Sequence, residues 1–433
     1  MTGILLGMHS NDDYEIDNLR KEQIAKNNIY AESFCSKYDD NKYEIGNFRN
    51  EPKVKKAMFA FSGDPIHYGH INVIERAARL FDKIVVGIGV NPNKNYLFTL
   101  EERLEMAKQA LGYLPSVSVT SFKGLLVDYA YENGIPTIFK GIRGGKDVDD
   151  ELTLHYLGDS QKLGIETVFY ASKQNMTHVS SRSVKALQFE MGLIHDFVPL
   201  NVKQKLEEKL SGQYIVGITG EIGAGKSYFG RRLEEKGREA GYKVHNIELD
   251  NIGRDILGKL NEKLYVDMRE EIGRTFGSGV LLSDGFVDRK VLGDIVFNDP
   301  KKLDLLNKLM LPPILVRLRR EIYDKKGFIL LNAALLAEAD LTNLCNNNVI
   351  LVTANHESQE RRLKARGLDS EQITRRKESQ YNASEKVRKI EDSIVKKGYG
   401  NLWSVENSDG VNNFNNTFQN LLTYFKGAIK AHE

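Results

Sequence analysis

A glycine-rich loop near the middle of the chain, Gly220–Ser227, constrains the fold more than any other stretch of the sequence. It reads Gly-Glu-Ile-Gly-Ala-Gly-Lys-Ser and fits the pattern G-x-x-x-x-G-K-[ST]. The apolar run Tyr214–Thr219 precedes the loop, and Tyr228–Lys236, which can form a helix, follows it. A strand, a glycine loop and a helix in this order place backbone N–H groups around a phosphate. The sequence therefore predicts a phosphate-binding loop, against the alternative of a glycine turn with a chance Lys-Ser pair.

A carboxylate follows the next predicted strand of the same half. The segment Lys243–Ile247 is predicted to be a strand, and Asp250 comes three residues after it. In small-molecule kinases a carboxylate at this place acts as a base or orients a metal ion. The alternative is that Asp250 is the N-cap of the following helix, where Asp is favoured for local reasons. The sequence leaves both interpretations open.

Length and composition exclude several classes of protein. The 433 residues exceed what one hydrophobic core usually serves, so we expect two domains. A net charge of +2 gives no electrostatic reason to bind nucleic acid, and no apolar run is long enough to span a bilayer. Cys35 and Cys345 lack metal-ligand spacing and suit a reducing compartment. We therefore expect a cytoplasmic protein with neither nucleic acid nor a membrane as partner.

The chain divides into three segments by composition and pattern. Residues 1–56 are polar and form an N-terminal extension, partly disordered or docked on the next domain, with one short helix predicted at Ile16–Ile24. Residues 57–211 and 212–433 each alternate strand with helix. This alternation predicts an α/β fold with two doubly wound parallel sheets.

The first half carries the clearest alternation. Its predicted strands are Met58–Phe61, Lys83–Val90, Val117–Thr120, Thr137–Phe139 and Glu166–Tyr170. Its predicted helices are Ile71–Phe81, Leu100–Leu111, Leu125–Asn133, Val148–Leu163, Ser181–Glu190 and a final helix over Pro199–Gly212. Ligands bind such sheets at the carboxyl ends of the strands. We therefore expect four loops to converge, namely Ser62–His70, Asn91–Lys94, Lys140–Arg143 and Met176–Arg182.

A histidine cluster occupies the first of these loops. The segment Asp64–His70 reads Asp-Pro-Ile-His-Tyr-Gly-His and lies between a strand and the start of a helix. Gly69 allows close backbone approach, and His70 lies where a helix N-terminus favours an anion. A neutral or cationic imidazole there can donate to a phosphate oxygen and stabilise the charge that builds in nucleotidyl transfer. A lone histidine is more often a packed residue, but the grouping with His67 and Gly69 favours a function.

The H-x-G-H element resembles the signature of the nucleotidyltransferase superfamily, and further motifs resemble bacterial phosphopantetheine adenylyltransferase. These motifs are Asn91–Arg103, Lys140–Arg143 with Asp147 and Glu151, and Val179–Ser181. The resemblance runs from about Met58 to about Leu210 and implies a Rossmann-like nucleotidyltransferase domain. It implies phosphopantetheine binding by Ser62, Lys94, Leu126 and Lys140, and catalysis by His70, Lys94 and Arg143. It implies ATP binding by Ser62, Gly63, His70, Gly141, Ile142, Arg143, Glu151, Val179, Ser180 and Ser181.

The second half, from about Tyr214 to about Phe425, resembles dephospho-coenzyme A kinase, a P-loop kinase with a helical substrate and lid region. The shared elements are Glu248-Leu249-Asp250 with Arg254, the stretch Asp284–Leu292, the strands Phe328–Leu331, Val349–Val352 and Trp403–Glu406, and a basic helical stretch Ser358–Lys377. The resemblance implies that this stretch is a mobile lid whose arginines Arg362, Arg366 and Arg375 neutralise phosphates. It implies catalysis by Lys226 and Asp250, acceptor binding by Arg254, and Mg²⁺ binding by Ser227 and Asp250. It implies ATP binding by Gly223, Ala224, Gly225, Lys226, Ser227, Tyr228 and Arg366.

Two departures from the kinase pattern keep a second interpretation open. Leu311 stands where that family has His, and Ala334 replaces the Pro of its Pro-Leu-Leu-x-Glu element, leaving Leu335–Glu338. The kinase half could then be a degenerate domain that serves as a nucleotide-binding scaffold. Another alternative keeps both folds and gives the nucleotidyltransferase and the kinase different small-molecule substrates.

Together, the two resemblances imply a bifunctional enzyme for the last two steps of coenzyme A biosynthesis. The first step transfers an adenylyl group from ATP to 4′-phosphopantetheine, giving dephospho-coenzyme A and pyrophosphate. The second step phosphorylates the 3′-hydroxyl of dephospho-coenzyme A with a second ATP. ATP and Mg²⁺ are the implied cosubstrate and ion, and a homo-oligomer through the adenylyltransferase domain is a further expectation.

Overall fold

The computed structural model of the protein describes residues 54–92, 94–378, 380–411 and 413–425. The predicted helix Ile16–Ile24 and the predicted extension as far as residue 53 lie outside these described residues. The two sheets that the structure describes belong to one compact unit of the chain. None of the described helices combines the length and the apolar character that crossing a membrane requires.

The first sheet has five strands, all paired in parallel, in the spatial order β3-β2-β1-β4-β5. The strands are β1 Lys56–Phe61, β2 Lys83–Gly89, β3 Val117–Phe122, β4 Thr137–Ile142 and β5 Glu166–Ala171. The helices are α1 Tyr68–Ala77, α2 Leu100–Leu111, α3 Leu126–Glu132, α4 Gly145–Asp159, α5 Ser181–Phe189 and α6 Leu200–Leu206. Helices α1, α2, α5 and α6 bury apolar side chains against one face of the sheet, and α3 does so against the other. This is the predicted doubly wound arrangement.

The second sheet also has five parallel strands, in the order β10-β9-β6-β8-β7. The strands are β6 Gln213–Gly220, β7 Val244–Glu248, β8 Gly327–Asn332, β9 Asn348–Thr353 and β10 Asn401–Glu406. The helices are α7 Lys226–Glu239, α8 Leu249–Gly258, α9 Lys263–Phe276, α10 Arg289–Val296, α11 Pro300–Ile322, α12 His356–Ala365, α13 Ser370–Glu378, α14 Ala383–Lys397 and α15 Phe414–Tyr424. Helices α7 and α15 pack on one face, and α8 to α11 with α14 pack on the other. The α/β prediction for this half is confirmed.

The basic stretch Ser358–Lys377 differs from its prediction as one helical stretch, because it forms two helices, α12 and α13. Gly367 adopts a φ of +78° in the connection between them. A left-handed residue of this kind ends an α-helix, and glycine adopts the conformation without steric cost. The other predicted elements of both sheets are present, with their ends displaced by a few residues.

No long linker separates the two halves. Helix α6 continues into one π-helical turn, Glu207–Ser211, and Gly212 then leads directly into β6. Lys203 and Glu207 form a buried ion pair on this segment, with Nζ and Oε1 2.5 Å apart. The side chain of Asn346, from the second half, accepts from Lys203 Nζ at 3.0 Å and donates to Glu207 Oε2 at 2.6 Å. Buried polar contacts therefore fix the two halves to each other.

We expect Lys203→Met to lower the free energy of unfolding by about 3 kcal/mol, because it leaves the buried Glu207 carboxylate without its cation. Burial already raises the pKa of Glu207, and Lys203 opposes that shift. Chemical denaturation near neutral pH measures the effect. The matched control is Lys205→Met, which removes a lysine from the same helix whose side chain is 40% exposed and pairs with Glu208. We expect the control to cost less than about 1 kcal/mol. Equal losses in the two variants would contradict a structural role for the buried pair.

Candidate active sites

Local hydrogen bonds hold the histidine loop at the start of α1. His67 is the N-cap residue, and its Nδ1 accepts from the backbone N–H of Gly69 at 3.1 Å. Nδ1 of His70 accepts from the backbone N–H of His67 at 3.3 Å, and the two rings stack with centroids 3.6 Å apart. Because each Nδ1 accepts a hydrogen bond, each neutral ring carries its proton on Nε2. His70 therefore has an Nε2–H donor beyond the end of β1.

Both imidazoles are neutral at pH 7. Burial, assisted by the nearby Arg143 guanidinium, lowers the pKa of His67 to about 3. Burial together with His67 and Arg143 holds the pKa of His70 well below its usual value. A neutral donor of this kind is suited to binding a phosphate oxygen rather than to taking up a proton.

Two predicted cationic residues at the end of β4 are held by carboxylates. Lys140 Nζ lies 3.1 Å from Glu151 Oε2. Arg143 makes a two-point pair with Asp147, in which Nε donates at 2.8 Å and Nη2 donates at 3.2 Å. Arg143 also donates to the backbone carbonyl of Val179 at 3.3 Å. Asp147 and Glu151 thus orient both cations at the edge of the sheet where the histidines lie.

Sequence reasoning missed two anchors of this site. The Arg103 guanidinium is buried and donates to the carbonyls of Ser62 at 2.6 Å and Gly89 at 3.1 Å, which ties together the loops after β1 and β2. Asp64 is buried in the histidine loop and pairs with Lys185 of α5 at 2.7 Å. Arg103 belongs to a motif that resembles the adenylyltransferases, but only the fold reveals which carbonyls it contacts.

The remaining predicted residues of this half surround the same strand ends. Ser181 Oγ donates to the carbonyl of Pro65 at 2.8 Å and so joins the loop before α5 to the histidine loop. Lys94 is exposed in the loop after β2, and Leu126 packs at the start of α3. The other predicted residues follow β1, lie at the end of β4 or precede α5; they are Ser62, Gly63, Gly141, Ile142, Val179 and Ser180. The loops after β1, β4 and β5 therefore meet as predicted, and Arg103 connects the end of β2 to them.

The glycine loop turns between β6 and α7, as the sequence predicts. Gly220 has a φ of +152°, and a Cβ atom there would lie 2.1 Å from the Val352 carbonyl oxygen. Gly225 has a φ of +87°, and its Cβ would lie 2.5 Å from Asn407 Nδ2. Backbone conformation and close approach both require glycine at these positions. The loop is therefore packed against β9 and against the segment that follows β10.

The ammonium group of Lys226 folds back over this loop. Nζ donates to the carbonyls of Gly220 and Glu221, each at 3.0 Å. Burial lowers the pKa of Lys226 to about 8, and the Asp250 carboxylate opposes that shift. A cavity of about 180 Å³ opens beside the lysine, and it is lined by Ile222, Gly223, Gly225, Lys226, Ser227, Asp250, Arg254, Ala334, Arg366 and Gln380. The structure thus brings most of the predicted kinase residues to one cavity.

Two carboxylates face the loop from the end of β7. Ser227 Oγ donates to Glu248 Oε2 at 2.9 Å. The interpretation of Asp250 as a helix N-cap is wrong, because Glu248 is the N-cap of α8 and Asp250 lies in its first turn. Burial raises the pKa of Asp250, while Lys226 and a hydrogen bond from the backbone N–H of Ala334 lower it. A proline at position 334 could not donate that hydrogen bond. The alanine therefore gives the Asp250 carboxylate a hydrogen bond that the proline would not.

The three predicted lid arginines have different surroundings. Arg362 donates to carbonyls of the glycine loop at 3.2 and 3.4 Å and to Asp409 Oδ1 at 2.7 Å, so it braces the loop. Arg375 pairs with Glu371 within α13 at 2.7 Å. Arg366, at the end of α12, lines the cavity. Of the three, Arg366 alone lines the cavity beside Lys226. Tyr228, another predicted ATP contact, is about half exposed at the start of α7.

A buried lysine behind the cavity is absent from the predicted set. Lys386 of α14 is fully buried, donates to the Ala334 carbonyl at 2.7 Å and forms an ion pair with Glu338. Glu221 of the glycine loop accepts from the backbone N–H of Ala383 at 3.0 Å. The start of α14 is therefore bonded both to the glycine loop and to the segment after β8. The local signal for Lys386 is its spacing of four and eight residues from Ile390 and Ile394, which pack in the core on the same face of the helix.

The two sheets and their loops define an α/β transferase with a nucleotidyltransferase-like half and a P-loop kinase-like half. The phosphopantetheine adenylyltransferase of Carboxydothermus hydrogenoformans is 39% identical over 156 residues, which cover 36% of this chain and 96% of that protein. That of Symbiobacterium thermophilum is 40% identical over 156 residues, with the same coverage. The chain belongs to the phosphopantetheine adenylyltransferase family.

Two family models divide the chain in the same way as the sheets do. Residues 62–187, within the segment that forms the first sheet, match the cytidylyltransferase-like family model. Residues 214–399, which contain the glycine loop, match the dephospho-CoA kinase family model. The second match covers the part of the chain that extends beyond the adenylyltransferase relatives.

We expect the ¹⁵N resonances of the His67 imidazole to show no protonation between about pH 7 and pH 5, since its pKa is about 3. The spectrum of His67→Gln assigns the signals. The unfolded chain protonates this histidine near its usual pKa. The contribution of neutral His67 to the free energy of unfolding is therefore complete above that pKa. It is lost as the pH falls towards 3. A titration of His67 near its unperturbed pKa would contradict its burial.

We expect binding of a nucleoside triphosphate at the glycine loop to take up a proton near pH 8. The pKa of Lys226 is about 8 in the free protein, and an adjacent phosphate raises it. The uptake at pH 8 should therefore approach about half a proton. Calorimetry of ATP binding in buffers of different ionisation enthalpy measures it. The difference between wild type and Lys226→Met isolates this site, and equal uptake in the two proteins would rule out Lys226 as the source.

Proposed function

We propose that the chain acts as a bifunctional coenzyme A synthase. Residues 57–211 transfer an adenylyl group from ATP to 4′-phosphopantetheine, and residues 212–433 phosphorylate the resulting dephospho-coenzyme A. The observation that carries the proposal is that the histidine loop and the glycine loop each lie at the carboxyl edge of their own parallel sheet. The family matches assign one chemistry to each half.

In the first half the reaction needs positioning and charge neutralisation more than a base. The phosphate of phosphopantetheine is already ionised at neutral pH, and it attacks the α-phosphorus of ATP while pyrophosphate leaves. His70 donates its Nε2–H to an α-phosphate oxygen. Lys94, Lys140 and Arg143 neutralise the two polyanions. Since Lys140 and Arg143 are paired with Glu151 and Asp147, their carboxylates keep them oriented before substrate arrives.

The remaining predicted contacts of the first half are proposed as follows. Ser62, Leu126 and Lys140 contact phosphopantetheine. Gly63, Gly141, Ile142 and Glu151 and the turn Val179–Ser181 contact ATP. Each of these residues except Leu126 and Glu151 belongs to a loop, a strand end or, for Ser181, the first residue of α5, at the carboxyl edge of the first sheet.

In the second half the backbone of the glycine loop and Lys226 hold the phosphates of ATP. Asp250 accepts the proton of the acceptor hydroxyl, since burial raises its pKa and so makes it a stronger base than an exposed aspartate. Arg366 neutralises the transferred phosphate, and Arg254 contacts the acceptor.

A magnesium ion fits the oxygen atoms that face this loop. The Ser227 hydroxyl and the Glu248 carboxylate are 2.9 Å apart, and Asp250 lines the same cavity as Ser227. When bound there, Mg²⁺ neutralises charge on the transferred phosphate. Among the described residues no group of three or more His, Cys, Asp or Glu could hold a metal ion. ATP and water therefore supply part of the coordination, as is usual for Mg²⁺.

A second copy of the chain is the occupant we propose for the surface of α4. No residue of this helix is buried, and the side chains of Leu154, Tyr156 and Leu157 are each more than half exposed. Exposed apolar side chains grouped on one element are typical of an interaction surface. A homo-oligomer through the adenylyltransferase half would cover them. A cytoplasmic location remains a prediction from the isolated cysteines.

The scaffold interpretation of the kinase half is not favoured. Lys226, Ser227 and Asp250 are all present at one cavity. Ala334, one of the two departures, serves the site through both backbone groups, because its N–H supports Asp250 and its carbonyl accepts from Lys386. Leu311 lies within α11, and nothing in its surroundings explains the change from histidine.

The test is to incubate the protein with 4′-phosphopantetheine, ATP and Mg²⁺ and to follow the products by mass spectrometry. We expect dephospho-coenzyme A to appear first and coenzyme A to follow. Lys226→Ala should accumulate dephospho-coenzyme A without coenzyme A. His70→Ala should slow the first step by about 10²-fold or more, and it should phosphorylate added dephospho-coenzyme A at the wild-type rate.

The two variants control for each other because each should retain the step that the other loses. Loss of both steps in Lys226→Ala would contradict two independent sites. No coenzyme A from wild type supplied with dephospho-coenzyme A would reject the kinase assignment. No product at all from wild type would reject 4′-phosphopantetheine and ATP as its substrates.

A further inference from the structure

A basic groove lies beside the glycine-loop cavity. It encloses about 480 Å³ and is lined by Asn251, Arg254, Asp255, Gly258, Lys259 and Arg289. Helix α8 and the residue that follows it supply all but the last of these, and Arg289 is the first residue of α10. Arg254 lines both the groove and the cavity that contains Lys226 and Asp250. The groove therefore adjoins the place where phosphate would be transferred.

The charges around the groove are unbalanced. Arg254, Lys259 and Arg289 are cationic, and Asp255 is the one carboxylate among the lining residues. Within the described residues none of these three cations lies within ion-pair distance of a carboxylate. Arg254 donates to the backbone carbonyl of Asp250, and its charge lowers the pKa of the Asp250 carboxylate. The groove thus holds two more positive charges than negative ones.

Three other surface cations of the same helical region pair with a carboxylate of their own helix. Lys263 pairs with Asp267, Arg274 pairs with Glu271, and Lys308 pairs with Asp304. Each of these pairs lies within a single helix and joins side chains that are three or four residues apart. Cations that converge on one concave surface without such partners repel one another unless an anion lies between them. The convergence of Arg254, Lys259 and Arg289 on one concave surface favours a binding site over an ordinary solvated surface.

We propose that this groove binds the internal diphosphate of the acceptor, so that Lys259 and Arg289 determine acceptor affinity; this inference rests on the proposed kinase function. The reacting ribose hydroxyl must reach Asp250, and the cavity of about 180 Å³ there is too small to hold the whole acceptor as well. The acceptor must extend into the adjoining space. A diphosphate diester carries one negative charge on each phosphate, which matches the excess positive charge of the groove. The groove volume also lies within the usual range for small-molecule sites.

The test measures steady-state kinetics of the second step with dephospho-coenzyme A and ATP varied separately. Lys259→Ala and Arg289→Ala should each raise the KM for dephospho-coenzyme A about tenfold, which is the loss expected for one charge-assisted contact. The double variant should raise it further. The kcat and the KM for ATP should stay within about twofold of wild type. Lys259→Arg keeps the charge and should restore most of the acceptor affinity.

The matched control is Lys290→Ala. Lys290 is exposed and follows Arg289 on α10, but its side chain does not line the groove, so its kinetics should equal those of wild type. Lys259 and Arg289 are themselves exposed, and an unchanged kcat of the second step shows that the kinase half of each variant is folded. An unchanged KM for dephospho-coenzyme A in the double variant overturns the inference while leaving the proposed function intact. Failure of wild type to phosphorylate dephospho-coenzyme A overturns both.

Discussion

Parallel pairing of every strand is the constraint on which the rest of the structure depends. Because all strands of a sheet run in one direction, their carboxyl ends meet at one edge, and the loops that follow them must converge there. In the first half this brings the histidine loop to Arg143 and Val179. In the second half it brings the glycine loop to Asp250 and to the segment after β8. Each half builds its site from residues that lie far apart in the sequence.

Both sites use burial to set the charge of their side chains, but to different extents. In the first site burial keeps His67 and His70 neutral, and the cations are balanced by neighbouring carboxylates. In the second site burial only weakens the charge of Lys226, because Asp250 lies close enough to oppose the shift. A phosphate that binds beside Lys226 favours the charged form of the lysine, which burial disfavours.

Fixed contacts connect the two halves and surround the second site. The buried pair of Lys203 with Glu207 joins α6 to the loop before β9, and β9 packs against the glycine loop. The start of α14 is bonded to that loop through Glu221. Helix α13 lies in the chain between α12, whose Arg362 contacts the glycine loop, and α14. Ile373 is the one buried residue of α13. A lid that moves over a rigid site is consistent with this distribution of contacts.

The sequence by itself determined the α/β class, the glycine loop, the histidine loop and the convergence of loops at strand ends. These follow from local patterns, since hydrophobic periodicity and glycine spacing are written in neighbouring residues. Only the tertiary structure decided that Glu248 caps α8 while Asp250 faces Lys226, that the basic stretch breaks near Gly367, and that Arg362 braces the loop. It alone showed which groups the buried cations Arg103 and Lys386 contact, because the fold brings those carbonyls and carboxylates together from distant parts of the chain.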